Sequence, residues 1–168
     1  YMADSKMTVL TWAVSAMCFV SVMNGFDYRT PDTVRKVLFS GEVLPIKHYR
    51  VWKKYLPQTM FVNLYGPTEV TCNCTYYVLD PKCEYELTVI PIGKAFPNET
   101  IFLLDETDQQ VTEAGIAGEI CVSSSELALG YYNAPDKTAQ VFVQNPLNHR
   151  YDERIYRTGD LAKYDAQG

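Results

Sequence analysis

Met60-Phe61-Val62-Asn63-Leu64-Tyr65-Gly66-Pro67-Thr68-Glu69 starts as an apolar strand and breaks at a tight Gly-Pro turn. Immediately upstream, a helix is predicted from about Pro45, with Ile46, Tyr49, Trp52 and Leu56 on one face and Lys47, Arg50, Lys53 and Lys54 largely off it. It ends before Pro57. Before it, Lys36-Val37-Leu38-Phe39 reads as a strand that stops at Ser40-Gly41-Glu42. Further upstream, Met7–Trp12 has β-branched strand character and leads into a helical run from about Val14 to Met23, halted by Asn24-Gly25. Strands that alternate with helices imply a parallel sheet, and such sheets hold ligands beyond the carboxyl ends of their strands. Ser40-Gly41-Glu42 and Tyr65–Glu69 both fall at such ends.

From about Glu84 the pattern changes. Thr100–Asp105, Gly118–Ser123 and Ile155–Tyr156 read as short strands separated by turns such as Asp108-Gln109-Gln110 and Glu113-Ala114-Gly115. One helix, Ala134–Phe142, interrupts them, with Pro135 near its first turn. The expected organisation is an α/β portion over 1–80 and a small, mainly antiparallel β-barrel-like subdomain over 84–168. The boundary falls at Leu79–Glu86. No repeat or low-complexity tract is visible.

The net charge is -5, with acidic and basic residues interspersed, which argues against a nucleic-acid footprint. The apolar stretch Met7–Met23 is interrupted by Thr8, Thr11, Ser15 and Ser21 and is shorter than the ~20 residues of a membrane span. It reads as a core element. No signal peptide opens the chain. The five cysteines Cys18, Cys72, Cys74, Cys83 and Cys121 are odd in number and irregularly spaced, which suits reduced, buried thiols in the cytoplasm. Cys72, Cys74 and Cys83 lack a second pair to complete a zinc site, and neither His48 nor His149 stands at ligand spacing.

The chemistry of the run lies in four side chains. The Tyr65 ring, placed after a strand, can stack on a purine at little entropic cost. Thr68 offers a hydroxyl to a phosphate, and Glu69 is a hard oxygen ligand suited to Mg²⁺. Asp160, projecting from a Thr158-Gly159 turn, could accept from ribose hydroxyls. Each has a plainer alternative: a strand-end tyrosine, a helix cap for Thr68 and Glu69, and an ordinary Gly-Asp turn.

Taken with Tyr156-Arg157-Thr158-Gly159-Asp160-Leu161, the run strongly resembles the adenylate-forming superfamily. Gly118-Glu119-Ile120-Cys121-Val122, Leu129-Gly130-Tyr131-Tyr132-Asn133 and Pro135-Asp136-Lys137-Thr138 look like that superfamily's signature between its two nucleotide motifs, where it builds the β-barrel subdomain. The resemblance covers nearly the whole chain. It implies that Gly41 and Glu42 line the adenine side, with Gly66 in the same nucleotide-binding run. Asn63 and Tyr65 would meet the base. Thr68 and Glu69 would serve phosphate and Mg²⁺ as catalytic residues, and Asp160 would hold ribose. ATP and Mg²⁺ are the implied cofactors.

Val37–Pro45, Val62–Gly66 and Leu127–Tyr132 are similar to D-alanine–D-alanyl carrier protein ligases, which charge a carrier protein for D-alanylation of teichoic acids. Adenylation domains of non-ribosomal peptide synthetases are the alternative. In either group the amino-acid pocket falls near Leu38, Ser40, Leu64, Cys72 and Asn73, all small or medium in size. Ser40 stands where D-alanine ligases can carry cysteine. The implied partners are a small amino acid, D-alanine first, and a carrier protein bearing phosphopantetheine, with no nucleic acid and no membrane span.

The lysine-bearing phosphate loop, the aspartate for the substrate amino group and the carboxy-terminal lid lysine do not occur between Tyr1 and Gly168. The resemblance therefore implies an internal piece of the large N-terminal domain of an adenylate-forming enzyme, inactive alone. A non-catalytic nucleotide-binding module would carry the same motifs.

Overall fold

A computed structural model describes residues 1–80 and 88–166. Cys83, Gln167 and Gly168 lie outside the described residues, as does most of the expected boundary Leu79–Glu86. The chain forms two compact units, Tyr1–Gly66 with Thr75–Lys94, and Pro67–Cys74 with Ala95–Gly168.

The first unit is built on a mixed sheet. Strands β1 (Val9–Ala13), β2 (Lys36–Ser40) and β3 (Met60–Tyr65) run parallel, as the alternation predicts. The connections are helical: α1 (Val14–Val22) and the short α2 (Gly25–Tyr28) lead into β2, and α3 (Ile46–Tyr55) leads into β3. Two strands add to the expected three. Antiparallel β4 (Thr75–Val78) pairs with β3, and the two-residue β5 (Lys94–Ala95) ends the sheet order β1-β2-β3-β4-β5.

Parallel strands buried under helices need apolar residues on the covered face. Leu10, Val37, Phe39 and Phe61 supply them, beneath Val14 and Met17 of α1 and Tyr49 and Trp52 of α3. Trp52 is fully buried, its Nε1 donating to Met17 O at 3.0 Å, and Phe26 of α2 meets its ring edge-on at 4.9 Å. Tyr49 and Phe61 form a second T-shaped pair at 5.3 Å. The expected apolar face of α3 is thus the buried one. The stretch Met7–Met23 is core on one side only, because Phe19, Val22 and Met23 are more than half exposed. Asn24, at φ 51°, stops α1 as expected, but the chain re-enters a helical turn at once and delivers Phe26 to Trp52.

The second unit is a five-stranded antiparallel sheet. Its strands are β6 (Glu99–Leu104), β7 (Gln110–Val111), β8 (Ala117–Ser124), β9 (Phe142–Gln144) and β10 (Arg154–Lys163), in the order β7-β6-β8-β10-β9. The helix α4 (Pro135–Val141) precedes β9, with Pro135 in its first turn. Phe102, Leu104, Cys121 and Ile155 form the core. The α/β portion and the antiparallel subdomain are therefore both present. Strand β10 corrects one reading: Thr158-Gly159-Asp160 lies within a ten-residue strand, not in a turn after it. The cysteine reading is corrected in part. Cys74 and Cys121 are buried, and burial pushes both thiols up to about 12, whereas Cys72 is exposed and Cys18 half-buried. Among the described residues, no helix is long and apolar enough to cross a membrane.

Candidate functional site

In the first unit the candidate residues stand at the carboxyl ends of β2 and β3. Ser40 is the last residue of β2, and Gly41 and Glu42 follow it, exposed. Because side chains alternate along a strand, Leu38 and Ser40 point away from the face of Val37 and Phe39. Leu38 is paired with Val62, so Leu38, Ser40, Val62 and Leu64 share the sheet face opposite the helices. The three expected pocket residues of this unit are thereby brought onto one face, and none carries a charge. Asn63 and Tyr65 take the other face. Asn63 is buried and its Nδ2 donates to Pro91 O at 2.8 Å, so one N–H of its amide is engaged by the main chain. Tyr65 is half-buried, opposite Thr75 of β4, and is followed by half-buried Gly66.

In the second unit Thr68–Val70 forms a single 3₁₀ turn after Pro67, with no side-chain cap. Thr68 is exposed and Glu69 half-buried, while fully buried Val70 anchors the turn. Thr71 and Cys72 then adopt successive positive φ values, 56° and 88°, a conformation costly for a β-branched residue. Hydrogen bonds hold it. Thr71 Oγ1 donates to Glu126 O at 2.6 Å, Ala128 N to Glu69 O at 2.8 Å, and Phe96 N to Cys74 O at 3.0 Å. Cys72 and half-buried Asn73 lie in this same strained segment.

The Glu69 carboxylate accepts from the Tyr131 hydroxyl at 2.5 Å. That bond, helped by Tyr156 and the Lys137 charge, holds the Glu69 carboxyl below the usual range against the opposing effect of burial. Glu69 is thus an ionised, oriented oxygen donor. Among the described residues no group of three or more acidic, histidine or cysteine side chains could enclose a metal. A lone carboxylate still fits Mg²⁺, which is ordinarily held by one or two carboxylates together with substrate phosphates. Glu69 is the residue that would hold it.

Asp160 owes its place to a bulge. Between the pairs Arg157–Cys121 and Leu161–Glu119, β10 carries more residues than β8, and Gly159, at φ 76°, absorbs the excess. Thr158 Oγ1 donates to Ile120 O at 2.8 Å and accepts from Asp160 N at 3.0 Å. Glu119 closes the bulge from β8, accepting from Gly159 N at 3.0 Å and from Arg157 Nε at 2.8 Å. Arg157 also meets Asp108 at 2.7 Å. Asp160 stands exposed at the end of this network. Glu119, Arg157 and Tyr131 were not singled out as site residues by sequence reasoning. Only their place inside the Gly118–Val122, Tyr156–Leu161 and Leu129–Asn133 runs marks them.

Comparison with known proteins agrees with the motifs. The family described as AMP-binding enzyme matches residues 2–132. Surfactin synthase subunit 1 of Bacillus subtilis (strain 168) is 41% identical over 137 residues, which is 82% of this chain and 4% of that protein. A linear gramicidin synthase of Brevibacillus parabrevis is 37% identical over 164 residues, 97% of this chain and 2% of that protein. Among solved structures, PA1221, an NRPS protein containing adenylation and PCP domains, superposes with TM-score 0.87 at 33% identity, covering 99% of this chain and 33% of its own. IdnL1 superposes with TM-score 0.91 at 33% identity, over 98% of this chain and 34% of its own. The chain thus spans only a small share of the curated relatives it matches. It belongs to the AMP-binding enzyme family, whose adenylate-forming motifs its two units carry.

Proposed function

We propose that this chain forms the nucleotide- and amino-acid-binding part of an ATP-dependent amino-acid-activating ligase, an adenylation domain of the non-ribosomal peptide synthetase type. The observation that carries the reading is Glu69: an ionised carboxylate, locked by Tyr131, in a chain whose matches include an NRPS protein with adenylation and PCP domains. In the proposed reaction an amino-acid carboxylate oxygen attacks the α-phosphorus of ATP, the bond to the β-phosphate bridging oxygen breaks, and pyrophosphate leaves. A phosphopantetheine thiol of a carrier protein then attacks the acyl carbon and releases AMP. Tyr65, Asn63, Gly41, Glu42 and Gly66 serve the base, Asp160 the ribose and Thr68 a phosphate oxygen. Glu69 would hold Mg²⁺, which supplies charge neutralisation at the phosphates.

The substrate reading is a small, uncharged amino acid. Leu38, Ser40 and Leu64 share one sheet face, and neither they nor Cys72 and Asn73 provide a counter-ion. A charged side chain buried against Leu38, Ser40 and Leu64 would be unpaired and costly. The matched synthases and NRPS structures favour the peptide-synthetase type over a ligase for teichoic-acid D-alanylation. D-alanine is one small, uncharged amino acid within this reading. The test is amino-acid-dependent exchange of pyrophosphate into ATP by the complete gene product, across a panel of amino acids. Preference for glycine, alanine of either hand or serine supports the reading, and preference for a charged or large aromatic amino acid overturns it.

A further inference from the structure

Glu69 is held at both ends by one short stretch of chain. Its carbonyl accepts from Ala128 N at 2.8 Å and its carboxylate from the Tyr131 hydroxyl at 2.5 Å. The main-chain bond, with those of Thr71 and Cys74, already fixes the segment. The Tyr131 bond is not needed to hold the backbone; it fixes the direction of the carboxylate.

Tyr131 is itself over-determined. Its N–H donates to Thr138 Oγ1 at 2.9 Å, and that hydroxyl donates to Ala134 O at 2.9 Å. Gly130, at φ 140°, makes the approach possible, since a Cβ there would lie 2.4 Å from Thr138 Cγ2. The Tyr131 ring meets Phe142 edge-on at 6.0 Å, and Lys137 Nζ stands 4.5 Å from its centroid. A side chain fixed by packing and by hydrogen bonds behind it is what a precisely aimed ligand requires. An ionised carboxylate has about four acceptor sites, so the bonds from Tyr131 and Tyr156 still leave acceptor capacity for a cation.

We infer that Tyr131 is a positioning residue for Glu69, aiming the carboxylate at the divalent cation that accompanies ATP. The inference rests on the reading of Glu69 as the Mg²⁺ carboxylate.

The test uses the complete gene product. Tyr131→Phe keeps the ring and removes only the hydroxyl. The expected result is about a ten-fold or greater rise in the Mg²⁺ concentration for half-maximal exchange, with the amino-acid KM unchanged. Calorimetry without amino acid gives a second readout. Mg²⁺-dependent tightening of ATP binding weakens by a similar factor, and ATP binding in chelator is unchanged. In a Glu69→Gln background Tyr131→Phe adds nothing further. Thr138→Val, which removes the acceptor for the Tyr131 N–H, shifts the Mg²⁺ titration in the same direction by a smaller factor. It gives the same reading should Tyr131→Phe not fold. If Glu69→Gln moves the Mg²⁺ titration and neither Tyr131→Phe nor Thr138→Val does, Tyr131 only packs: the inference fails and the Glu69 reading stands. If Glu69→Gln leaves the titration unmoved, the Glu69 reading fails and takes the inference with it.

Discussion

Glu69 and Asp160 are both carboxylates, and their surroundings suit the different work proposed for them. Glu69 is half-buried, with its charge held by a phenol and a nearby ammonium, whereas Asp160 is exposed at a strand bulge. In the complete gene product Glu69→Gln keeps the shape and removes the charge. We expect turnover to fall about ten-fold or more, with part of the loss recovered by raised Mg²⁺, because a charge-assisted contact contributes roughly 1.5–3 kcal/mol. Asp160→Ala removes the proposed ribose acceptor, so the expected defect is a rise in the ATP KM of similar size that extra Mg²⁺ does not recover. Steady-state kinetics over a matrix of ATP and Mg²⁺ concentrations separates the two. Unchanged kinetics for both variants at limiting ATP and Mg²⁺ would refute the assignment. These two residues were marked in the sequence by the two motifs that carry the resemblance; by itself Thr158-Gly159-Asp160 reads as an ordinary turn, and the structure puts it inside β10. Tyr131 was not legible, because its role depends on a contact to a residue far away in the chain.

Among the elements, the bulged strand β10 and the helix α3 show where local pattern suffices and where it does not. The face of α3 was readable because Tyr49, Trp52 and Leu56 recur at helical spacing, and these are the side chains that bury. Trp52→Ala should therefore cost about 3–5 kcal/mol, seen as a lowered urea midpoint of the first unit. Trp52→Phe should cost less, losing mainly the bond to Met17 O. Strand β10 was not readable in full. Arg157-Thr158-Gly159-Asp160 has turn composition, but Glu119 and the Thr158 hydroxyl satisfy the loose backbone groups and carry the strand through. Strand β4 was missed for a related reason. It pairs antiparallel with β3 after only a short 3₁₀ excursion, which the strand–helix alternation does not announce. The bulge yields its own prediction. Thr158→Val deletes both hydroxyl bonds, so Asp160 loses its support, and ATP affinity in the complete gene product should fall several-fold with amino-acid KM unchanged. Thr158→Ser, which keeps the hydroxyl, should retain wild-type affinity. Equal ATP affinities for the two variants, measured by equilibrium binding, would show that the hydroxyl does not position Asp160.

At the scale of the whole molecule, two acids that the fold treats in opposite ways couple stability to pH. Glu153 accepts from Ser123, Asn145 and Asn148, and these bonds hold its carboxyl below the usual range. Its contribution is present above the unfolded value near 4.3 and is lost as pH falls through the lower, folded value. Glu99 is the reverse. It is 8% exposed, its Oε2 has no hydrogen-bond partner among the described residues, and burial pushes its carboxyl up, against a hydrogen bond from Ser124 and with the Glu126 charge adding to the rise. Below about pH 4.3 this group is protonated in both folded and unfolded chains and costs nothing as a charge. As pH rises towards the folded value, the unfolded chain ionises first and the folded state loses stability; above it the full penalty is in place. Glu99→Gln removes the charge at nearly constant shape. It should stabilise the second unit by about 1 kcal/mol at pH 7 and by almost nothing at pH 4, where the wild-type carboxyl is already largely neutral. Urea unfolding at the two pH values, with Glu153→Gln showing the opposite sign at pH 7, is the measurement. A Glu99→Gln effect independent of pH would mean that the buried carboxyl carries no charge penalty in the folded state.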